Sequence, residues 1–118
     1  MTDTFHIKQN DTSPAIEYQL QYEDSDGVLQ NRDITGYQSV EFHLVDANGS
    51  VKVNDDDAGN VSVTEAVTGK VKYDWQTGDT DTSGFFEAEW QVTYSDGTIE
   101  SFPNDDAGAP VEIVPEIA

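Results

Sequence analysis

The chain contains no cysteine. Disulfide staples, thiolate metal sites and a thiol nucleophile are therefore closed to it. Positive charge is nearly as scarce, with 5 Lys and Arg against 24 Asp and Glu and a formal net charge of −19. The five basic residues, Lys8, Arg32, Lys52, Lys70 and Lys72, form no dense run. Nucleic-acid phosphates and anionic membrane surfaces repel a surface this negative, so neither is an expected partner. No segment approaches the roughly 20 apolar residues of a membrane span. Met1 to Asn10 is polar and reads as no signal peptide, so synthesis and folding in a cytoplasm are expected. A helical period of 3.6 residues is missing throughout, which excludes a helix bundle.

The 118 residues suit one domain, 1–118, with its core at about 4–114. A net charge of this size disfavours compactness at low salt, and high salt screens it. The composition therefore fits a protein of a salty interior, such as that of a haloarchaeon. An acidic disordered tail is the other chain type with this charge, but the 12 aromatic residues sit in ordered alternation.

That alternation is the main structural signal. Ile16, Tyr18, Leu20 and Tyr22 share one side of a strand over about Ala15 to Tyr22. Val40, Phe42 and Leu44 do the same within Ser39 to Asp46, and Val71, Tyr73 and Trp75 form another inward set. The longest run, Phe85 to Tyr94, puts Phe86, Ala88, Trp90, Val92 and Tyr94 on one face. Shorter strands are expected at Phe5 to Lys8, from Val61, at Thr98 to Phe102 and at Val111 to Val114. Asn48-Gly49 and Asp96-Gly97 lie between apolar runs, and both residue types tolerate the positive φ of tight hairpins. Glu23 to Asp33 reads as a polar connection. The total is seven to nine short strands with a turn every 8–12 residues or so, the pattern of an all-β antiparallel sandwich. Trp75 and Trp90 are the expected centre of its core.

Little local chemistry accompanies this pattern. His6 and His43 lie opposite the core-facing positions and read as solvated strand histidines. No Gly-x-Ser-x-Gly turn is present. Asp24-x-Asp26-Gly27, Asp55-Asp56-Asp57 and Asp79-x-Asp81 fall in loops, but none matches the EF-hand pattern. Glu87 and Glu89 face outward, a poor place for the raised pKa that a glycosidic acid needs. The sequence thus points to no enzyme, no cofactor and no metal.

The order of motifs resembles that of the phage baseplate upper protein N-terminal domain family. The similarity starts at Phe5-His6-Ile7-Lys8-Gln9-Asn10-Asp11-Thr12-Ser13-Pro14 and continues through Ile34-Thr35-Gly36-Tyr37 and Val40-Glu41-Phe42-His43-Leu44. Gly69-Lys70-Val71-Lys72-Tyr73-Asp74-Trp75, Gly78-Asp79-Thr80, Gly84, Tyr94-Ser95-Asp96-Gly97 and Phe102-Pro103-Asn104-Asp105 complete it. The resemblance implies an immunoglobulin-like sandwich acting as a multi-copy tail or baseplate adaptor, or as a particle-decorating subunit, in a tailed virus. It implies a virion location, other virion proteins (tail, baseplate or capsid) as partners, and no catalytic residues. Members of that family continue into a helical linker and an adaptor region beyond the sandwich, whereas this sequence ends at Ala118. The acidity fits a haloarchaeal host.

Contacts in such a particle are expected at strand edges near the chain ends, Thr4 to Lys8 or Val111 to Val114, with Phe5, Ile7, Val111 and Ile113 as candidate interface residues. A module binding carbohydrate or a host surface is the alternative. Tyr37 and Phe85 are its candidate loop aromatics.

Overall fold

In the computed structural model, residues 4–55, 59–103 and 108–117 are described. They contain eleven strands and no helix. In chain order these are β1 (Phe5–Lys8), β2 (Ile16–Gln19), β3 (Gln21–Glu23), β4 (Leu29–Asn31), β5 (Tyr37–Asp46) and β6 (Val51–Asp55), then β7 (Val61–Glu65), β8 (Lys70–Tyr73), β9 (Gly84–Tyr94), β10 (Ile99–Phe102) and β11 (Ala109–Val114).

The strands form a sandwich. Its large sheet runs β1-β11-β9-β5-β6, with β10 also paired to β9. One edge of β9 is shared by two partners, β11 along Gly84–Ala88 and β10 along Trp90–Thr93. Its other edge pairs with β5 along nearly the whole strand. The second sheet has the order β2-β8-β7, and β3 and β4 make a separate two-stranded ribbon.

Two sheets cover each other because the alternation puts large apolar side chains between them. Phe42 of β5 stacks on Tyr73 of β8 at 4.2 Å between ring centroids, and Trp90 of β9 stacks on Tyr18 of β2 at 6.1 Å. Trp75, just after β8, lies 5.8 Å edge-on to Phe42 and stacks on Phe5 at 6.1 Å. Trp75 and Trp90 are both buried, as is nearly every inward position of the alternation. Removing a buried Trp side chain costs about 3–5 kcal/mol, a large share of a small domain's stability.

The strand count exceeds the expected seven to nine for two physical reasons. Ala15 to Tyr22 is not one strand. Leu20 is fully buried, its N–H bonds Gly69 O at 2.8 Å, and its C=O accepts the Arg32 N–H at 2.9 Å. The chain therefore leaves β8 at Leu20 and starts a new pairing. The stretch Glu23 to Asp33 then forms the β3–β4 hairpin, because Asp24 Oδ1 accepts the N–H groups of Asp26 and Val28 and closes the turn. The expectation of a wholly antiparallel sandwich also needs correction, since β1 pairs with β11 in parallel.

Candidate functional site: an open sheet edge

Strand edges are the places where this fold can bind another chain, because an edge leaves backbone N–H and C=O groups unpaired. The two lateral sides of the sandwich are built differently. On one side lie β6 and β7, and each carries an extra residue. The β5–β6 register skips between Leu44 and Val45, leaving Lys52 as the added residue. The β7–β8 register skips between Val63 and Glu65, leaving Thr64. Bulges of this kind twist an edge away from further pairing. The remaining edges are regular: the large sheet ends in β1, whose register with β11 is unbroken from Phe5↔Val111 to Lys8↔Val114, β10 flanks the other half of β9 without a shift, and β2 ends the second sheet without one.

The direction of the free groups on β1 follows from strand geometry. Gln9 N–H donates to Val114 O at 2.7 Å. Backbone groups alternate in direction along a strand, so Phe5 and Ile7 also face β11, while His6 and Lys8 face away. Lys8 O accepts the Asp11 N–H at 3.0 Å. The outward edge therefore offers the His6 N–H, the His6 C=O and the Lys8 N–H.

The four candidate interface residues are placed as follows. Ile7, Val111 and Ile113 are core residues, at most 3% exposed, and Phe5 packs against the core on Trp75. β11 is flanked by β1 and β9, so Val111 to Val114 has no free edge. The edge expected at Val111 to Val114 is thus absent because β1 already occupies it. Sequence reasoning named the apolar residues of β1 and missed His6 and Lys8, whose backbone forms the open edge. The strand signal at Phe5 to Lys8 is present in the sequence, but nothing there shows which parity of its residues bonds to a neighbour.

Side-chain charge on this edge is unusual for the molecule. His6 and Lys8 stand on the outer face. His6 Nδ1 lies 3.0 Å from Glu112 of β11. Among the described residues Arg32, Lys52 and Lys72 have carboxylate partners, whereas Lys8 and Lys70 have none.

Other groups of interest are occupied with the fold. His43 lies 3.2 Å from Glu41. The strand spacing and register place it about 20 Å from His6, so the two imidazoles make no pair. Among the described residues no three His, Cys, Asp or Glu are grouped to hold a metal ion. The loop carboxylates close turns. Asp46 Oδ1 takes the Asn48 and Ser50 N–H groups, as Asp24 does in its own turn. Asp79 Oδ2 accepts the Tyr73 hydroxyl at 2.7 Å and the Gln76 N–H at 2.8 Å. Four carboxyls are held below the usual carboxylate range by their donors: Asp24 chiefly by the Val28 N–H, Asp33 by the Thr35 hydroxyl, Asp81 by the Lys52 ammonium and Asp96 by the Thr98 hydroxyl. Asp56 and Asp57, and Asn104-Asp105 of the family resemblance, lie outside the described residues.

Glu87 and Glu89 line a shallow depression on the outer face with His43, Val45 and Gly108, and Glu87 Oε2 accepts the Gly108 N–H at 3.1 Å. Phe85 is 69% exposed and Tyr37 39% exposed. They stand at opposite ends of the large sheet, since Tyr37 pairs with Tyr94 at the far end of β9. About 30 Å separates them, so they form no common aromatic platform.

Arg32 joins the β3–β4 ribbon to the large sheet. Its Nε donates to Glu100 Oε1 at 3.0 Å, and its guanidinium lies 5.1 Å from the centre of the Tyr22 ring. The Tyr94 hydroxyl donates to the same Glu100 oxygen at 2.8 Å. Burial, then the Glu100 carboxylate, pushes the Tyr94 phenol up.

Comparison with known proteins adds the fold and nothing finer. No family model matches the chain, and no curated protein matches it. Among solved structures, the chain is similar to CopC from Methylosinus trichosporium OB3b. The TM-score is 0.51 at 11% identity, over 98% of this chain and 87% of that one. At this identity the likeness is one of sandwich architecture.

Proposed function

We propose that this protein is a non-catalytic structural subunit of a tailed-virus particle, joined to other tail, baseplate or capsid proteins in many copies through the open edge of β1. The observation that carries the reading is the lateral asymmetry of the sandwich: β6 and β7 are bulged, whereas the edges without a bulge are β1, β2 and β10, of which β1 is the end strand next to the chain terminus. The ordered motifs from Phe5 to Phe102 that resemble the baseplate family support it, and the sandwich fold is the one that resemblance implies.

The edge also explains why many copies are needed. Three outward backbone groups give about three hydrogen bonds, each worth about 1 kcal/mol net. One edge alone binds weakly, in the range of about 5–10 mM. Repetition in a particle raises the effective concentration and makes weak edges hold.

The reading is tested by His6→Pro. Proline removes the outward N–H and is tolerated on an edge strand, while the bonds of Phe5, Ile7 and Gln9 to β11 stay available. The variant keeps its near-ultraviolet circular dichroism at molar KCl and fails to enter particles. Incorporation at the unaltered level would reject the reading. A carbohydrate or host-surface module has less support, because its two candidate aromatics are too far apart to act together.

A further inference from the structure

We infer that the outer face of the large sheet around Phe85 docks another protein, one that sets an apolar side chain on the Phe85 ring and an arginine or lysine in the neighbouring depression lined by Glu87 and Glu89. This surface is separate from the β1 edge, so either can fail while the other stands.

The argument starts from exposure. Phe85 stands on the wet face of β9 and is 69% exposed. The register gives it apolar company. Pro110 of β11 and Val45 of β5 both pair with Glu87, the next outward residue of β9. Glu112 pairs with Phe85 itself, and Val114 is the next outward residue after it. Pro110, Val45 and Val114 are therefore diagonal neighbours of Phe85 on one face, about 7–8 Å away. Val51 extends the patch, since it pairs with Val45. The two carboxylates beside the ring are drawn off it. His6 Nδ1 holds Glu112 at 3.0 Å on the β1 side. The Gly108 N–H holds Glu87 at 3.1 Å, on the side away from Phe85. A contiguous exposed apolar patch centred on an aromatic ring is the usual mark of a protein contact.

Charge names the partner. The outward positions of the large sheet carry Glu41, Glu87, Glu89 and Glu112 against Lys8, and His6 and His43 each lie beside one of those carboxylates. The depression has Val45 on one side and Glu87, the exposed Glu89 and His43 around it. It suits a side chain with an alkyl stem and a cationic head. Glu87 and Glu89 lie two and four residues from Phe85 along β9, so the cation sits about 10 Å from the apolar anchor. On an extended segment that is a spacing of three residues. A second copy of this chain would bring the same carboxylates and a charge of −19, and an anionic membrane is repelled likewise.

The test uses three end-blocked peptides: Ser-Phe-Ser-Ser-Arg-Ser, the same with Glu for Arg, and the same with Ser for Phe. Each is titrated to about 10 mM into the intact protein, at the lowest KCl concentration that keeps it folded, and backbone amide shifts are followed. The first peptide moves the Phe85, Glu87 and Glu89 amides saturably and binds at least about fivefold more tightly than either control. Phe85→Thr, which keeps the near-ultraviolet circular dichroism, brings it down to the peptide lacking Phe. Glu89→Gln narrows the gap between the Arg and Glu peptides. Equal binding of the Arg and Glu peptides would overturn the basic preference. Saturation with the Phe85 amide unmoved, or no shift from any peptide, would overturn the site. Dimerisation lost in Phe85→Thr would assign the patch to a second copy, and binding to phosphatidylcholine vesicles lost in the same variant would assign it to a membrane; either overturns the inference.

Discussion

Salt should decide whether this protein is folded, and the size of the effect follows from its dimensions. A charge of −19 sits on a body with a Cα radius of gyration of 14.3 Å, equivalent to a sphere of radius about 18 Å. In water at 0.15 M salt, where the Debye length is about 8 Å, the self-repulsion of such a sphere is about 12 kcal/mol. At 1 M, where the length is about 3 Å, it falls to about 6 kcal/mol. The unfolded chain swells to a radius of gyration of about 35 Å, equivalent to a sphere of radius about 45 Å. Its repulsion is about 2.5 kcal/mol at the lower salt and about 1 kcal/mol at the higher. Raising KCl from 0.15 M to 1 M therefore favours the fold by about 4–5 kcal/mol, against a total stability of about 5–15 kcal/mol.

Thermal unfolding followed by near-ultraviolet circular dichroism reads this as a rise in Tm of about 15 °C. Repulsion scales as the square of charge. A variant with exposed acids replaced by amides until the net charge is about −10 should keep only about a quarter of the salt response. A Tm that ignores KCl, or a charge-reduced variant with the full response, would refute the reasoning.

Two further outcomes follow from the turns. The depressed carboxyls of Asp24, Asp33 and Asp96 contribute stability that is present above the ordinary Asp value and lost as pH falls through their lower folded values. At molar KCl stability should therefore decline below about pH 4, whereas at low salt it should first rise as pH falls from 7 and the net charge shrinks; pH-dependent urea titrations at both salts check this, and a monotonic fall at low salt would contradict it. Gly69 has φ +75°, and a Cβ there would lie 2.3 Å from Arg32 O and 3.2 Å from Leu20 Cβ. Gly97 has φ +88° with nothing within 4 Å. Gly97→Ala should cost about 1–2 kcal/mol for its backbone conformation alone, and Gly69→Ala about 3 kcal/mol or more because the crossing at Leu20 must also open. Equal midpoints in urea would show that the crossing is not the constraint.

Much of this fold was legible from period-two alternation. The inward sets Val40-Phe42-Leu44, Val71-Tyr73-Trp75 and Phe86-Ala88-Trp90-Val92 are all buried, because a strand with one wet face must alternate. The hairpins at Asn48-Gly49 and Asp96-Gly97 were legible from their turn residues. The break at Leu20 was not. Its apolar alternation continues from Ile16 to Tyr22, and only the distant bonds to Gly69 and Arg32 end the strand. Parallel pairing of β1 with β11 was hidden for the same reason, since partner choice depends on contacts more than a hundred residues apart.

The site was half legible. Phe5 to Lys8 was recognised as an end strand, but its apolar side chains drew the attention that belongs to the backbone of His6 and Lys8. The acidic loops at Asp24 and Asp79 read in sequence as loops without a metal pattern. Their oxygens are used to close turns, a role that the chain-local pattern Asp-x-x-Gly announces at Asp24 but not at Asp79.

The most direct test of β1 as the docking edge is a particle reconstruction at side-chain resolution. A strand from a neighbouring protein should run beside Phe5–Lys8 at about 4.8 Å, bonded to the His6 backbone. A β1 edge open to solvent, with neighbours seated instead on the bulged strands β6 and β7 or on the outer sheet face, would contradict it.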